Sequence, residues 1–527
     1  MSLDPLYSSL SPLAQVLVDK FETKETFDQD KKISVNVLVS KVAYWYEKVR
    51  TAMDYGSEET LLRRAIERIL KRRLVLDTHA KSLAEILVKE LIWGGYFPDE
   101  TVPESIINKV ATSISLHFEL KKGLEHAKAL PENKIYELIM QLLSSDVDVI
   151  LLPNKEKEAM VNFMFHVLKN SIEITDDSTQ VRDAQVFIAI RKTFARDDIA
   201  FLRYKLFAQI FGRLTEENIN QTIASFSQGY KEIEYQLTYP RKDRIFNHIT
   251  KKTPPFLILY DVFMNSRGQI KEVLKDSESL KAQVFSACEK RYSSISRKVR
   301  TAIIRSFIFI LFTKAFIAIS VEGTFERIVY GSIQWPAIII NIIVPPTLML
   351  ILPLSIRTPA ADNSERIFSD IKKLLLEENP QIIRPLQIKL KSNSVKTIRD
   401  YVFSVLWLLT FFLSFGLVIL ILNKLHFDIL SQGIFLFFAT IVSFLTYRIY
   451  QTANTYNMPA RQSLIAPLID FFFVPIIRVG RRLTESIAQI NFILIIIDFI
   501  IEAPFKGLVG FFEQWFLFLS IKREELE

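Results

Sequence analysis

The chain has 527 residues, a formal net charge of +8, 49% hydrophobic residues, 14 glycines and one cysteine. The single cysteine, Cys288, excludes an internal disulfide and a cysteine-based zinc cluster. Scarce glycine argues against phosphate-cradling loops and tight β-turns, which need residues that adopt positive φ. The positive charge does not predict nucleic-acid binding, because no recognition motif accompanies it and many basic residues flank apolar runs.

The character of the sequence changes near residue 300. Before that point charged and apolar residues are interleaved, whereas after Thr301 long apolar runs dominate and the charges collect between them. The pattern predicts an all-α fold with three parts: a soluble helical domain over 1–300, a multi-span membrane domain over 301–450, and amphipathic helices at the membrane interface over 451–527. The first residues lack the features of a secretory signal, so we expect the first part to stay on the side of synthesis.

Apolar residues at helical spacing predict a succession of helices in this first part, which we call the head. The expected helices cover about 57–74, 101–118, 134–143, 155–171, 180–194, 199–211 and 216–238, and a last one runs from about 268 into the membrane domain. The run PPFLILYDVF is too short to cross a bilayer. It predicts a buried helix that begins at Pro254 and Pro255.

Four apolar runs predict membrane spans at 302–321, 333–354, 401–422 and 429–447. The first run has twenty residues, which at about 1.5 Å per residue match a hydrocarbon core of about 30 Å. Lys314 lies well inside it. A dozen Ile, Leu, Phe and Val residues favour insertion by roughly 4 to 7 kcal/mol, whereas a central lysine opposes it by about 3 kcal/mol. Insertion is therefore expected despite the lysine.

Basic residues predict the orientation of the spans. Clusters of Lys and Arg precede the first span, fill the connection over 355–400 and follow the fourth span, whereas the two short links between spans carry one Arg and one Lys. The positive-inside rule therefore predicts that the head, the connection and both chain termini are cytoplasmic.

The second span and the connection each leave an alternative open. Pro345, Pro346 and Pro353 predict a kink or break in the second span, either in an ordinary helix, which we favour, or at a transport site. The connection contains an amphipathic helix that ends before Pro380. This helix has two expected places, the inner membrane surface or the head, and the sequence does not choose between them.

The C-terminal part carries a narrow polar stripe on a very apolar background. The stripe consists of Asn491, Asp498, Glu502, Lys506 and Glu513. It predicts interfacial helices, with membrane-surface contacts from Arg478, Arg481, Arg482 and Trp515. The alternative inserts these segments as further spans, in which Lys314 pairs with an intramembrane carboxylate. The candidate carboxylates are Asp470, Asp498 and Glu502.

No motif of nucleotide hydrolysis, serine-hydrolase chemistry or zinc-protease chemistry occurs, so no catalytic, cofactor-binding or metal-binding residue is assigned. The leading hypothesis is a non-enzymatic integral membrane protein whose head binds a protein partner at the inner face of a lipid bilayer, with oligomerisation open. The alternative is a transporter or channel that uses Lys314, the proline-containing second span and the acidic residues of the C-terminal helices.

Overall fold

The computed structural model describes residues 9–22, 30–35, 44, 47, 48, 58–74, 79–329, 331, 335–354, 361–377, 385–388, 398–425, 427–458 and 466–489. The head helices are α1 (Pro12–Glu22), α2 (Leu61–Arg73), α3 (Ala80–Trp93), α4 (Ser105–His126), α5 (Glu132–Leu151), α6 (Lys155–Leu168), α7 (Thr179–Ile190), α8 (Ile199–Phe211), α9 (Ile219–Leu237), α10 (Lys242–Thr250), α11 (Pro254–Asn265) and α12 (Ile270–Val273). They are followed by α13 (Ser277–Ile317), α14 (Gly323–Val329), α15 (Trp335–Leu354), α16 (Ala361–Leu376), α17 (Ile398–Lys424), α18 (Ile429–Ala453) and α19 (Ala466–Gln489). The described chain is almost entirely helical, which confirms the all-α prediction.

Local sequence signals account for the starts of several head helices. Side chains of Asn154, Ser178 and Asp198 accept hydrogen bonds from backbone N–H groups in the first turns of α6, α7 and α8. Proline occupies the first positions of α11, where a missing N–H leaves no helical hydrogen bond unmade. The predicted buried helix behind Pro254 is thus confirmed.

The buried apolar residues in the described part of the head form two cores. The second core lies among α2 to α5, α8 and α9 and includes Ile66, Leu87 and Ile114. The first core begins at α1, where Phe21 packs edge-on against Phe263 with ring centroids 5.5 Å apart. It continues without interruption from the head into the apolar helices that follow. The head and the apolar helices therefore share one core.

One long helix joins these two regions. α13, a π turn over Ala318–Glu322 and α14 form a continuous helix of 53 residues, Ser277–Val329, which we call the stalk helix. At about 1.5 Å per residue it is roughly 80 Å long. Its Leu280 and Val284 lie in the head part of the first core, and its Ile310 lies in the same core among the apolar helices.

Among the residues that the structure describes, three helices are long and apolar enough to cross a membrane. They are Ser277–Val329, Tyr401–Lys424 and Ile429–Ala453, and a shorter apolar stretch, Ile338–Ile351, lies within α15. Their outward faces are apolar, as shown by Phe312 and Phe412, each 70% exposed. Such surfaces are stable in hydrocarbon rather than in water, which indicates that the protein is associated with a membrane. The division into four spans remains a prediction.

The second run, where Pro345 and Pro346 predict a kink or break, contains no break. α15 continues as a helix through Pro345 and Pro346 to Leu354. Both prolines remove a backbone donor, but α15 packs between the stalk helix and α18. A helix held by neighbours on two sides tolerates proline, because packing compensates for the missing hydrogen bonds.

The connection after α15 packs against the head. Of the two places expected for its amphipathic helix, the membrane surface and the head, the structure shows the head. Ile367, Ile371 and Leu374 on one face of α16 are buried in the first core. The backbone N–H of Ser11 donates to the carbonyl of Leu375 at 2.8 Å. Further along, β2 (Leu386–Ile388) pairs in parallel with β1 (Ile172–Ile174) of the head. The head and the connection must therefore lie on the same side of any bilayer that the apolar helices cross.

The helix α19 crosses α17 and α18 at close range. A Cβ atom at Gly480 would lie only 2.0 Å from the backbone oxygen of Thr440 in α18. The guanidinium of Arg478 lies 5.3 Å from the ring centroid of Trp407 in α17. Glycine thus permits a backbone approach that any side chain would prevent.

Gly480→Ala tests this crossing. The added methyl group cannot fit without a shift of α19, so we expect the unfolding free energy to fall by about 1 to 3 kcal/mol. Gly416→Ala on α17 is the matched control, because no atom lies within 4 Å of a Cβ there, and alanine favours a helix by roughly 0.5 to 1 kcal/mol over glycine. Thermal unfolding in detergent measures both variants. Equal effects at the two positions would contradict the close crossing.

Candidate functional site

Lys314, the charged residue of the first apolar run, is fully buried in the structure. Its side chain has no exposed surface, and its Nζ donates a hydrogen bond to Glu322 Oε1 at 2.7 Å. The same nitrogen lies 5.1 Å from the ring centroid of Phe438 in α18. The lysine therefore meets a carboxylate of its own stalk helix and an aromatic face of the neighbouring helix, a cation–π arrangement.

The carboxylate that pairs with Lys314 is not one of those expected from the sequence. Asp470 lies in α19, but its side chain is outside the described residues. Asp498 and Glu502 also lie outside the described residues, as does Trp515. Among the expected membrane-surface arginines, Arg478 stacks on Trp407 as described above. Arg481 and Arg482 are exposed on α19.

The π turn explains how Glu322 reaches Lys314. Eight residues of ideal α-helix rotate by about 800°, which would leave these two side chains about 80° apart around the helix. A π turn rotates less for each residue, so the turn over Ala318–Glu322 brings the carboxylate back toward the face that carries the lysine. The local winding of the stalk helix thus makes the ion pair.

A third polar side chain completes the buried cluster. The Nδ2 atom of Asn341 in α15 donates to Glu322 Oε2 at 2.6 Å and lies 3.5 Å from the carbonyl oxygen of Ser431 in α18. Asn341 is also fully buried, and its Oδ1 atom has no hydrogen-bond partner among the described residues. The cluster of Lys314, Glu322 and Asn341 therefore connects the stalk helix with α15 and α18.

Sequence reasoning found Lys314 but missed Glu322 and Asn341. Two signals were present: Glu322 directly follows the apolar run of the first span, and Asn341 is the single amide side chain in the apolar run of α15. Each of these polar groups must find a partner when it is buried, because an unpaired charge or amide in hydrocarbon is costly.

An apolar groove lies beside the cluster. Its volume is about 360 Å³, and it is lined by Ile317, Ile429, Leu430, Gly433, Ile434, Phe437 and Phe438. Phe438 lines the groove and also lies beside the ammonium of Lys314, and the lining residues are all apolar or glycine, so the groove offers hydrocarbon contacts. The ion pair itself lies within the stalk helix, and Asn341 and Phe438 connect it to α15 and α18.

A second buried polar centre joins the head to the apolar helices, and we call it the junction. The Nδ2 atom of Asn363 in α16 donates to the hydroxyl of Tyr292 and to the carbonyl of Tyr456, both at 2.8 Å. Its Oδ1 atom accepts a bond from the backbone N–H of Met458, also at 2.8 Å. A single buried amide thus ties the stalk helix and the segment after α18 to the connection.

An ion pair reinforces the junction. Arg291 of the stalk helix donates from Nε and Nη2 to the two carboxylate oxygens of Asp261 in α11, each at 2.5 Å. The guanidinium also lies 5.7 Å from the ring centroid of Tyr456. This two-point geometry fixes both distance and orientation between the stalk helix and the head.

A network of ion pairs links the two cores of the head. Arg191 binds Asp197 at 2.5 Å and Glu158 at 2.9 Å, and Arg63 binds Asp198 at 2.5 Å. Burial acts to raise the pKa of Glu158, but the hydrogen bonds and positive charge of Arg191 prevail and lower it to about 2. The acidic pair at 197–198 therefore binds arginines.

Within the described ranges no group of three or more His, Cys, Asp or Glu side chains is placed to hold a metal ion.

No protein-family model, curated protein or solved structure matches this chain. A functional proposal for it must therefore start from its own geometry.

Lys314→Met tests the buried ion pair. The variant leaves the Glu322 carboxylate buried without its cation, so we expect a loss of about 3 to 5 kcal/mol of unfolding free energy. The double variant Lys314→Met, Glu322→Gln removes both charges and keeps an acceptor for Asn341. It should recover most of the loss in thermal unfolding experiments. A double variant as unstable as the single one would contradict a structural role for the pair.

Asp148→Asn tests a buried carboxyl group that lies near the ion pairs of the head. Burial raises the pKa of Asp148 from 3.8 to about 7. Because the folded state holds this proton more tightly than the unfolded state, its contribution to stability is present at low pH and is lost between about pH 4 and pH 7. The neutral asparagine should remove that part of the pH dependence, which amounts to roughly 2 to 4 kcal/mol.

Denaturant unfolding of the full chain in detergent at pH 4 and pH 8 measures this effect. The exposed Asp243 provides the matched control, since Asp243→Asn should keep the wild-type pH dependence. If Asp148→Asn also kept it, the assignment of the titration to Asp148 would be wrong.

Proposed function

We propose that this chain is a non-enzymatic, multi-pass membrane protein that holds a helical head at the cytoplasmic face of a membrane and presents it to a protein partner. The observation that carries the proposal is the stalk helix Ser277–Val329, which belongs to the core of the head and to the apolar helices at once. A protein whose task is to position a binding surface benefits from such a rigid connection.

Three separate attachments support a rigid platform. The stalk helix is the first, the packing of α16 and β2 on the head is the second, and the hydrogen bonds of Asn363 to the segment after α18 are the third. Hinge motion needs a segment that absorbs changes in backbone angles. Here the stalk helix is continuous, and the other two attachments oppose its bending.

The orientation in this proposal follows from contacts and charge. Because the connection touches the head, both lie on one side of the membrane. The basic residues of that side favour the cytoplasm, and we place the N- and C-termini there. In the same proposal, Arg478, Arg481, Arg482 and Trp515 contact the membrane surface, as the composition of the C-terminal part suggests.

Transport is a second candidate function, and two observations favour it. A π turn lies directly beside the buried ion pair, and such turns occur frequently at functional sites. The Oδ1 atom of Asn341 also has no partner among the described residues, which leaves one acceptor open beside Lys314. We rank this candidate lower, because Lys314 and Glu322 are fully paired and fully buried.

The Lys314→Met, Glu322→Gln double variant distinguishes the two functions. Photo-crosslinkers at the exposed head positions Lys109 and Lys231, in native membranes, should capture the same protein partner in wild type and double variant. A crosslinker at the apolar surface position Phe412 is the control for non-specific capture. Ion and proton flux in proteoliposomes should not differ between the two proteins.

The opposite results would favour transport. A flux that is present in the wild type and abolished in the double variant identifies a transporter that depends on the ion pair. If crosslinking from Lys109 and Lys231 captured no protein beyond those captured from Phe412, the scaffold proposal would be wrong.

A further inference from the structure

A group of exposed arginines lies where the apolar helices meet the head. Arg297, Arg300 and Arg305 are exposed on the stalk helix, and Arg448 is exposed on α18. No ion pair joins any of them to an acidic side chain of the described residues. By contrast, many arginines of the head are paired, including Arg63, Arg72, Arg73, Arg191, Arg203 and Arg267. The exposed group therefore has charge available for an external anion.

Two of these arginines lie at the same level of the bundle. The ammonium of Lys314 faces the ring of Phe438, which aligns the stalk helix with α18 at this height. Arg305 lies nine residues before Lys314, and Arg448 lies ten residues after Phe438. At about 1.5 Å per residue these separations are about 14 and 15 Å, so the two guanidinium groups share one level to within about a helical turn.

That level matches one surface of a bilayer. From Arg448 back to Ile429, the first residue of α18, nineteen steps of about 1.5 Å give roughly 28 Å, close to the thickness of a hydrocarbon core. Arg300 lies about 8 Å further toward the head than Arg305, which is within the depth of a headgroup layer. The arginines thus lie where lipid phosphates are found.

The stalk helix also presents the surface that a lipid tail requires. Ile308 and Phe312, which are 46% and 70% exposed, follow Arg305 by three and seven residues and therefore lie on its side of the helix. Buried Ile295 and Val299 lie on the opposite side, against the head. A cationic end followed by an apolar strip fits an amphiphile with an anionic headgroup better than it fits a soluble anion.

We propose that Arg300, Arg305 and Arg448, at this level of the bilayer, bind the phosphate headgroups of anionic phospholipids. This inference rests on the proposed function in one respect, namely that the apolar helices cross a bilayer. The bound headgroups fix the depth of the stalk helix, and the stalk helix fixes the height of the head above the membrane. Anionic lipid therefore sets the position at which the head meets its partner.

The test measures binding of fluorescent phosphatidylglycerol to the full chain in detergent, with phosphatidylcholine as the neutral comparison. Each cation near a membrane surface contributes about a fivefold gain in affinity, so the triple variant Arg300→Gln, Arg305→Gln, Arg448→Gln should bind phosphatidylglycerol on the order of 100-fold more weakly. Binding of phosphatidylcholine should not change. Replacement of the same three residues by lysine should keep most of the affinity.

The matched control removes three exposed cations of the head, Lys109→Gln, Lys231→Gln and Arg244→Gln. It should bind phosphatidylglycerol like the wild type. The inference is overturned if the control weakens binding as much as the arginine triple, or if the arginine triple binds like the wild type. The inference is also overturned if inorganic phosphate, at the same concentration as phosphatidylglycerol, displaces the bound lipid. The arginines would then bind anions in general.

Two further measurements keep the outcomes separable. If the triple variant does not fold, the single variants Arg300→Gln and Arg448→Gln decide, each with an expected loss of about fivefold. Resistance to alkaline carbonate extraction reports on membrane integration alone. A triple variant that stays in the membrane but loses lipid selectivity supports the inference. Release of the wild type by carbonate would instead contradict the proposed membrane anchor.

Discussion

The continuity of the stalk helix is the constraint on which the rest of the structure depends. Its backbone hydrogen bonds run from Ser277 to Val329, so the direction of the apolar helices is fixed once Leu280 and Val284 have packed into the head. The connection then returns to the head through α16 and β2, and the chain after α18 is held by Asn363. Of these contacts, the Asn363 amide is tied to the stalk helix directly, through the hydroxyl of Tyr292.

The two buried polar centres use different chemistry because they lie in different surroundings. Lys314 and Glu322 lie among apolar helices, where a single charge would be very costly and a neutralised pair is tolerated. At the junction, Asn363 instead satisfies backbone groups of Tyr456 and Met458 that have no helical partner there. Both centres join segments that are distant in sequence. Such polar contacts specify one arrangement of helices, whereas apolar contacts alone tolerate several.

Particular elements show how far the sequence reaches. The helices α6, α8 and α11 were predicted close to their observed positions, because apolar periodicity, capping residues and initial prolines act within a few residues. The first apolar run lies in the stalk helix, which is long and apolar enough to cross a membrane, and its lysine was recognised from the sequence. A kink or break was expected at Pro345 and Pro346, and the helix instead continues there with support from the stalk helix and α18 that is not visible in the local sequence. The place of α16 stayed open for a related reason, since an apolar face fits a membrane surface as well as a protein core.

By itself, the sequence determined the helical class, the apolar character of the chain beyond residue 300 and the presence of a charged residue inside the first apolar run. These properties follow from transfer free energies and helical spacing, which add up residue by residue along the chain. Only the tertiary structure decided that Lys314 meets Glu322, that Asn341 joins them and that Asn363 ties the connection to the stalk helix. Those contacts depend on the winding of one turn and on the packing of distant helices, and no local pattern encodes either.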